Sequence, residues 1–184
     1  TVLYKNFKAL KDMIPEIVAV NNDQEQDYDI ETAVKFHRML ADIGYKTTIA
    51  PYMNREYWQQ LVSRLNEEPG TCEIVYLQTY SGGANNKPSE WKVFGDIPMY
   101  IGYNCEESDN LSEMENRFKN WRDADGVQGG FLWFYNNEDR NVNEWATAIN
   151  RIFPTKTVEK AAARFYQDVN YGGYMVTLPE GSFN

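Results

Sequence analysis

Five short apolar runs recur along the chain at nearly even intervals, and this rhythm constrains the fold more than any other feature. They are "EIVAV" from residue 16, "YKTTIA" from 45, "CEIVYLQTY" from 72, "IPMYIGY" from 97 and "VQGGFLWFY" from 127. Their starts lie roughly 25 to 30 residues apart, the length of one strand-plus-helix unit. Helical patterns fill the gaps. Residues 30 to 43 put Ile30, Ala33, Val34, His37, Leu40 and Ala41 on one face, with Gly44 as the C-cap. Residues 55 to 66 and 111 to 122 read the same way, and "YKNFKALKDM" forms an opening helix before the first strand. Asn141 and Glu144 make a capping-box start for "VNEWATAINRIF", where Val142, Trp145, Ala146, Ile149, Ile152 and Phe153 share a face.

Regular alternation of helices with near-continuous apolar strands predicts an α/β fold with a parallel sheet. An open doubly wound sheet and a closed (β/α) barrel compete. A doubly wound nucleotide binder calls for a glycine-rich strand-to-helix turn, and no such fingerprint is present. In a barrel, function collects at the C-terminal ends of the strands. Those ends read "NNDQE", "APYMN", "QTYSGG", "GYNCEES" and "WFYNNED", rich in carboxylates, amides, Tyr and Trp. The opposite ends are sparse in such groups. This asymmetry suits one polar, aromatic cleft on one rim.

In "AVNNDQEQDYD" the first run ends in polar residues. Asp23 and Glu25 are two apart, so an extended chain points both carboxylates to the same side. That spacing fits either a solvated strand end or an acid centre.

Beyond Pro154 the character changes. Residues 154–160 read as a linker. Residues 161–184 alternate around "NYGGY", a hairpin signal too short to stand alone. The 184-residue chain carries a net charge of -9, with neither a basic patch nor a basic helix, which argues against nucleic acid and anionic membranes as partners. No apolar run is long enough to span a bilayer. Five Trp, thirteen Tyr and nine Phe on an acidic background suit stacking on sugar rings, although most aromatics serve as core.

The chain starts at Thr1 with neither an initiator Met nor a signal peptide, so it is expected to be a processed or incomplete piece. His37, the single histidine, reads as a packed residue rather than a ligand, which leaves His-based triads and His-rich zinc sites without material. "EESDN" at 106 to 110 and "NNEDRN" at 136 to 141 lack the ordered spacing of a calcium loop and read as solvated; no metal site is expected. Cys72 and Cys105 fall near opposite ends of adjacent strands, beyond disulfide reach. Asn110, in "NLS", is a glycan acceptor by pattern and equally a helix cap.

"NNDQE" resembles the end of the fourth barrel strand in glycoside hydrolase family 18, the chitinases and endo-β-N-acetylglucosaminidases, where the pattern is D-G-x-D-x-D-x-E. Glu25 takes the glutamate position and Asp23 the last aspartate. Asn21 stands where an aspartate is expected, Val18 where the first one is, and Ala19 on the glycine. "TIAPY" is similar to the family's fifth strand, "LQTY" carries the Gln-x-Tyr of the sixth, and Trp133 in "GGFLWFY" falls on the eighth-strand tryptophan. The resemblance covers residues 1–153 and implies strands four to eight of a (β/α)8 barrel, with strands one to three missing. The tail "FYQDVNYGG" resembles the first half of a βγ-crystallin Greek key, with Tyr166, Tyr171 and Gly173 in key positions. Such motifs often bind calcium, which would belong to a complete domain.

The resemblance implies a secreted enzyme acting on β-1,4-linked N-acetylglucosamine by substrate-assisted hydrolysis. Glu25 would be general acid and then base. Asp23 would hold the acetamido group, Tyr80 would donate to its oxygen, Trp133 would floor the sugar, and Gln78, Tyr52 and Asn21 would complete the binding set. Like-charge repulsion between neighbouring carboxylates raises one of their pKa values, which would help keep Glu25 protonated. Asn21 can hydrogen-bond but not ionise, so a non-catalytic carbohydrate-binding or extracellular matrix protein with a degenerate site is the alternative.

Overall fold

The computed structural model describes residues 1–67, 71–133 and 142–154, together with the backbone of two further strands. The chain falls into two units, Thr1–Phe153 and Pro154–Asn184. The first contains, in order, α1 (Val2–Met13), β1 (Ala19–Asn22), α2 (Ile30–Ile43), β2 (Lys46–Ile49), α3 (Arg55–Leu65), β3 (Cys72–Leu77), β4 (Met99–Asn104), α4 (Leu111–Asp125), β5 (Gly129–Trp133) and α5 (Val142–Ile152). Two short 3₁₀ turns, Ser81–Gly83 and Pro88–Trp91, lie between β3 and β4.

Local signals set the helix ends. The Asp29 carboxylate accepts from Thr32 N–H to start α2, and Gly44, at φ 101°, closes it in the left-handed region. Asn110 starts α4 by accepting from Glu113 N–H, so the residue that reads as a sequon is also a cap. Asn141, the expected cap of α5, lies outside the described residues, as do "NNEDRN", residues 155–160, Tyr171 and Gly173.

The five strands form one sheet in the order β1-β2-β3-β4-β5, every neighbouring pair parallel. This confirms an α/β fold with an all-parallel sheet. Crossovers between parallel strands keep one hand, so a sheet that always grows in the same direction gathers its helices on one face. Within the described strands the order never reverses, unlike a doubly wound sheet at its switch point.

Alternate strand residues divide the two faces. Toward the helices, Ile49, Val75 and Leu77 pack with Trp58, Leu61 and Leu65 of α3 and Ala33 and Val34 of α2. Ile101 and Tyr103 pack with Met114 and Phe118 of α4 and Trp145, Ala148 and Ile152 of α5. Ala41, Val142 and Ala146, expected on packed faces, are exposed. The stripe of α5 instead runs through Trp145, Ala148 and Ile152, which are spaced three and four apart. On the other face, Tyr76 meets Tyr100 and Phe131 edge to face at 5.5 and 5.4 Å. Gly129 leaves room for the Tyr100 ring, where a Cβ would approach its carbons to 2.6 Å.

The first strand lies later than its apolar run suggests. Val18 is exposed, while Asn21 and Asn22 belong to the ladder. Their amides find partners: Asn21 Oδ1 accepts from Thr48 Oγ1 at 2.9 Å, and Asn22 meets His37. Cys72 and Cys105 are buried free thiols, and burial pushes the Cys72 thiol up to about 12. In the second unit, β6 (Ala163–Tyr166) and β7 (Met175–Leu178) form an antiparallel pair.

Candidate active site

Parallel strands bring all their C-terminal ends to one rim, and the chemistry-bearing residues collect there. Asp23 and Glu25 follow β1, Tyr52 follows β2, Gln78 and Tyr80 follow β3, and Trp133 ends β5. These six, with Ser81 and Gly82, line a cavity of about 270 Å³. A wider depression of about 580 Å³ lies beside the start of α3, where Glu56 sits with Arg55 and Tyr57; its one carboxylate has no acidic neighbour in the lining.

Gln78 is the joint of the site. It is 8% exposed, and its amide nitrogen donates both to Asp23 Oδ1 at 2.8 Å and to the Ala50 carbonyl at 2.9 Å. Both partners are acceptors, so the amide orientation is fixed and β3 is tied to the end of β1 across β2. The Asp23 carboxyl is held above its ordinary value. Partial desolvation is the main cause, the Glu25 charge adds to it, and the Gln78 hydrogen bond opposes both.

In the same lining, Tyr80 and Trp133 lie parallel, with centroids 6.2 Å apart and planes at 3°. Tyr80 is buried and its phenol is pushed well up, first by burial and then by the charges of Asp23, Glu25 and Glu107. It therefore remains a neutral O–H donor. Gly102 on β4 makes its seat possible: a Cβ there would come within 2.3 Å of the Tyr80 ring and 2.6 Å of Phe131. Trp133 is 46% exposed, so its indole presents an open apolar surface. Tyr52 lies over Gly82, where a Cβ would stand 2.9 Å from the tyrosine ring.

Of the residues singled out in the sequence, Asn21 is the one that does not line the cavity. It lies two residues before Asp23, inside β1, engaged with Thr48. Ser81, Gly82 and Glu107 belong to the site region; they lie in the strand-end segments "QTYSGG" and "GYNCEES" but were not among the expected site residues, and Glu107, read as solvated, is engaged with Ser81. Glu107 accepts from both Ser81 N–H (2.9 Å) and Ser81 Oγ (2.7 Å), holding Ser81 at a left-handed φ of 47°. Strained non-glycine backbone of this kind persists where its surroundings fix it, commonly at functional sites. The Ser-Gly-Gly step after a strand was the available signal. Among the described residues, no three metal-ligating side chains come together and no helix is long and apolar enough to cross a membrane. Neither a scan against protein-family models nor searches of curated proteins and of solved structures found a match.

Proposed function

We propose that this chain is part of a glycoside hydrolase acting on β-1,4-linked N-acetylglucosamine, in chitin or the core of N-glycans, by substrate-assisted retaining hydrolysis. One observation carries the reading: an acid pair and a parallel Tyr-Trp wall, from three different strand ends, line one cavity. A carboxylate pair supplies proton transfer and charge, while an open aromatic face suits the apolar side of a pyranose ring.

In this scheme the substrate's own acetamido oxygen attacks the anomeric carbon as the glycosidic C–O bond breaks. Glu25 gives its proton to the departing oxygen. Asp23, oriented by Gln78, accepts from the acetamido N–H and balances the positive oxazolinium ion, and Tyr80 donates to the acetamido oxygen. Glu25, now a carboxylate, takes a proton from the water that opens the oxazolinium at the anomeric carbon, and configuration is retained. Tyr52 and Trp133 hold the sugar.

The sequential all-parallel order supports a further part of the reading, that β1 to β5 are strands four to eight of a (β/α)8 barrel. The antiparallel pair in the second unit is compatible with the opening hairpin of a βγ-crystallin-like module, and both readings suit a secreted protein. A non-catalytic sugar-binding role is the second reading, favoured by Asn21, which cannot ionise and is engaged with Thr48. Release of nitrophenol from a nitrophenyl chitobioside by the full-length protein tests the first. General acid catalysis contributes about 10²–10⁴-fold, so Glu25→Gln is expected to lose turnover in that range. Equal rates for the two proteins contradict the hydrolase, and tight chito-oligosaccharide binding without turnover selects the second reading.

A further inference from the structure

Behind the acid pair runs a chain of hydrogen bonds that the proposed chemistry does not use. Side chains alternate past β1: Asp23 and Glu25 face the cavity, so Asn22 and Gln24 face the helices. The backbone N–H of Gln24 donates to Asn22 Oδ1 at 3.0 Å. An N–H can only donate, so the Asn22 amide nitrogen is turned the other way, where it meets His37 Nε2 at 2.8 Å. Nε2 is therefore the acceptor, the imidazole proton sits on Nδ1, and Nδ1–H donates to Thr47 Oγ1 at 3.0 Å. The far end is fastened too. Gln24 Oε1 accepts from the Tyr57 hydroxyl at 2.7 Å, and its amide nitrogen donates to the carbonyls of Gln26 (3.1 Å) and Asp27 (2.8 Å). Asp27 is held at a left-handed φ of 51°.

We propose that His37 is a positioning residue of this site: its Nδ1–H tautomer, held between Thr47 and Asn22, orients Asn22 and through it the loop that aims Asp23 and Glu25 into the cavity. His37 acts through Asn22 and is not part of the cavity wall. A histidine that merely fills space is replaceable by an apolar residue of similar volume. A positioning histidine is replaceable only by a side chain offering an acceptor to Asn22 and a donor to Thr47, and glutamine offers both. That the placement serves sugar cleavage rests on the hydrolase reading. The placement itself does not, and it can be read without any substrate.

The test is the titration of the Asp23 carboxyl, followed by carbon-13 NMR in the full chain and in His37→Leu, His37→Gln and Gln24→Ala. The Asp23 midpoint depends on its neighbours, so it reports where the loop holds it. The expected result is a midpoint that falls toward the ordinary aspartate value in His37→Leu and Gln24→Ala and stays in place in His37→Gln. An unchanged midpoint in His37→Leu overturns the proposal, as does a His37→Gln midpoint displaced as far as that of His37→Leu. Should His37→Leu fail to fold, Asn22→Ala, which removes the half-buried amide that links His37 to the Gln24 backbone, decides by the same criterion: its Asp23 midpoint is expected to fall as well, and an unchanged midpoint overturns the proposal. A hydrolase failure leaves these midpoints untouched, so the two ideas fail separately.

Discussion

His37 shows how much one buried side chain can impose. It is fully buried, and desolvation lowers its pKa to about 4 from the ordinary 6.5. The folded chain holds it neutral while the unfolded chain protonates it below about 6.5, so the unfolded state binds the extra proton and stability falls as pH drops from about 6.5 to about 4. The full shift corresponds to about 3 kcal/mol. Asp23, with its pKa raised, works in the opposite direction, gaining stability as pH falls through its folded value. Denaturant unfolding at a series of pH values is expected to show this loss in the protein and a flatter profile in His37→Gln; identical slopes would contradict it. The sequence marks His37 as packed by its place on the apolar stripe of α2. Its partners Asn22 and Thr47 come from two different strands, and no local pattern announces them. The same holds for Asn21: the motif position is legible, but its bond to Thr48 follows from strand register alone.

At the scale of elements, periodicity carried most of the information. The apolar stripe and the Gly44 stop mark α2 in the sequence because each is a local device with its own physics, and the structure adds the Asp29 cap at its start. The start of β1 was less legible, since an apolar run marks where a strand can bury side chains, whereas the ladder follows available hydrogen-bond partners. Glycine 102 was also silent in the sequence. Its role emerges only when β3, β4 and β5 lie side by side and the Tyr80 and Phe131 rings occupy the space a Cβ would fill. Gly102→Ala is expected to cost about 1–3 kcal/mol through overpacking and to displace the Tyr80 ring. Chito-oligosaccharide affinity, followed by tryptophan fluorescence, should then fall by more than in a control with equal loss of thermal stability. A variant that loses stability but keeps full affinity would detach Tyr80 from the binding role.

For the molecule as a whole, the even rhythm of apolar runs made the parallel α/β sheet readable, because each strand-helix unit repeats one length. The convergence of the site follows from that topology: parallel strands deliver every C-terminal end to one rim. Just past the end of β1, Asp23 and Glu25 line the cavity together with the stacked Tyr80 and Trp133. Ser81 and Glu107 stayed hidden because their pairing joins two loops 26 residues apart. The proposed chemistry at this rim is cleavage of β-1,4-linked N-acetylglucosamine through the substrate's own acetamido group. Proton NMR of the first-formed products from chitotetraose, recorded before mutarotation, tests that claim directly. A substrate-assisted retaining hydrolase gives the β-anomer at the new reducing end, and an initial α-anomer or no cleavage at all would contradict the proposal.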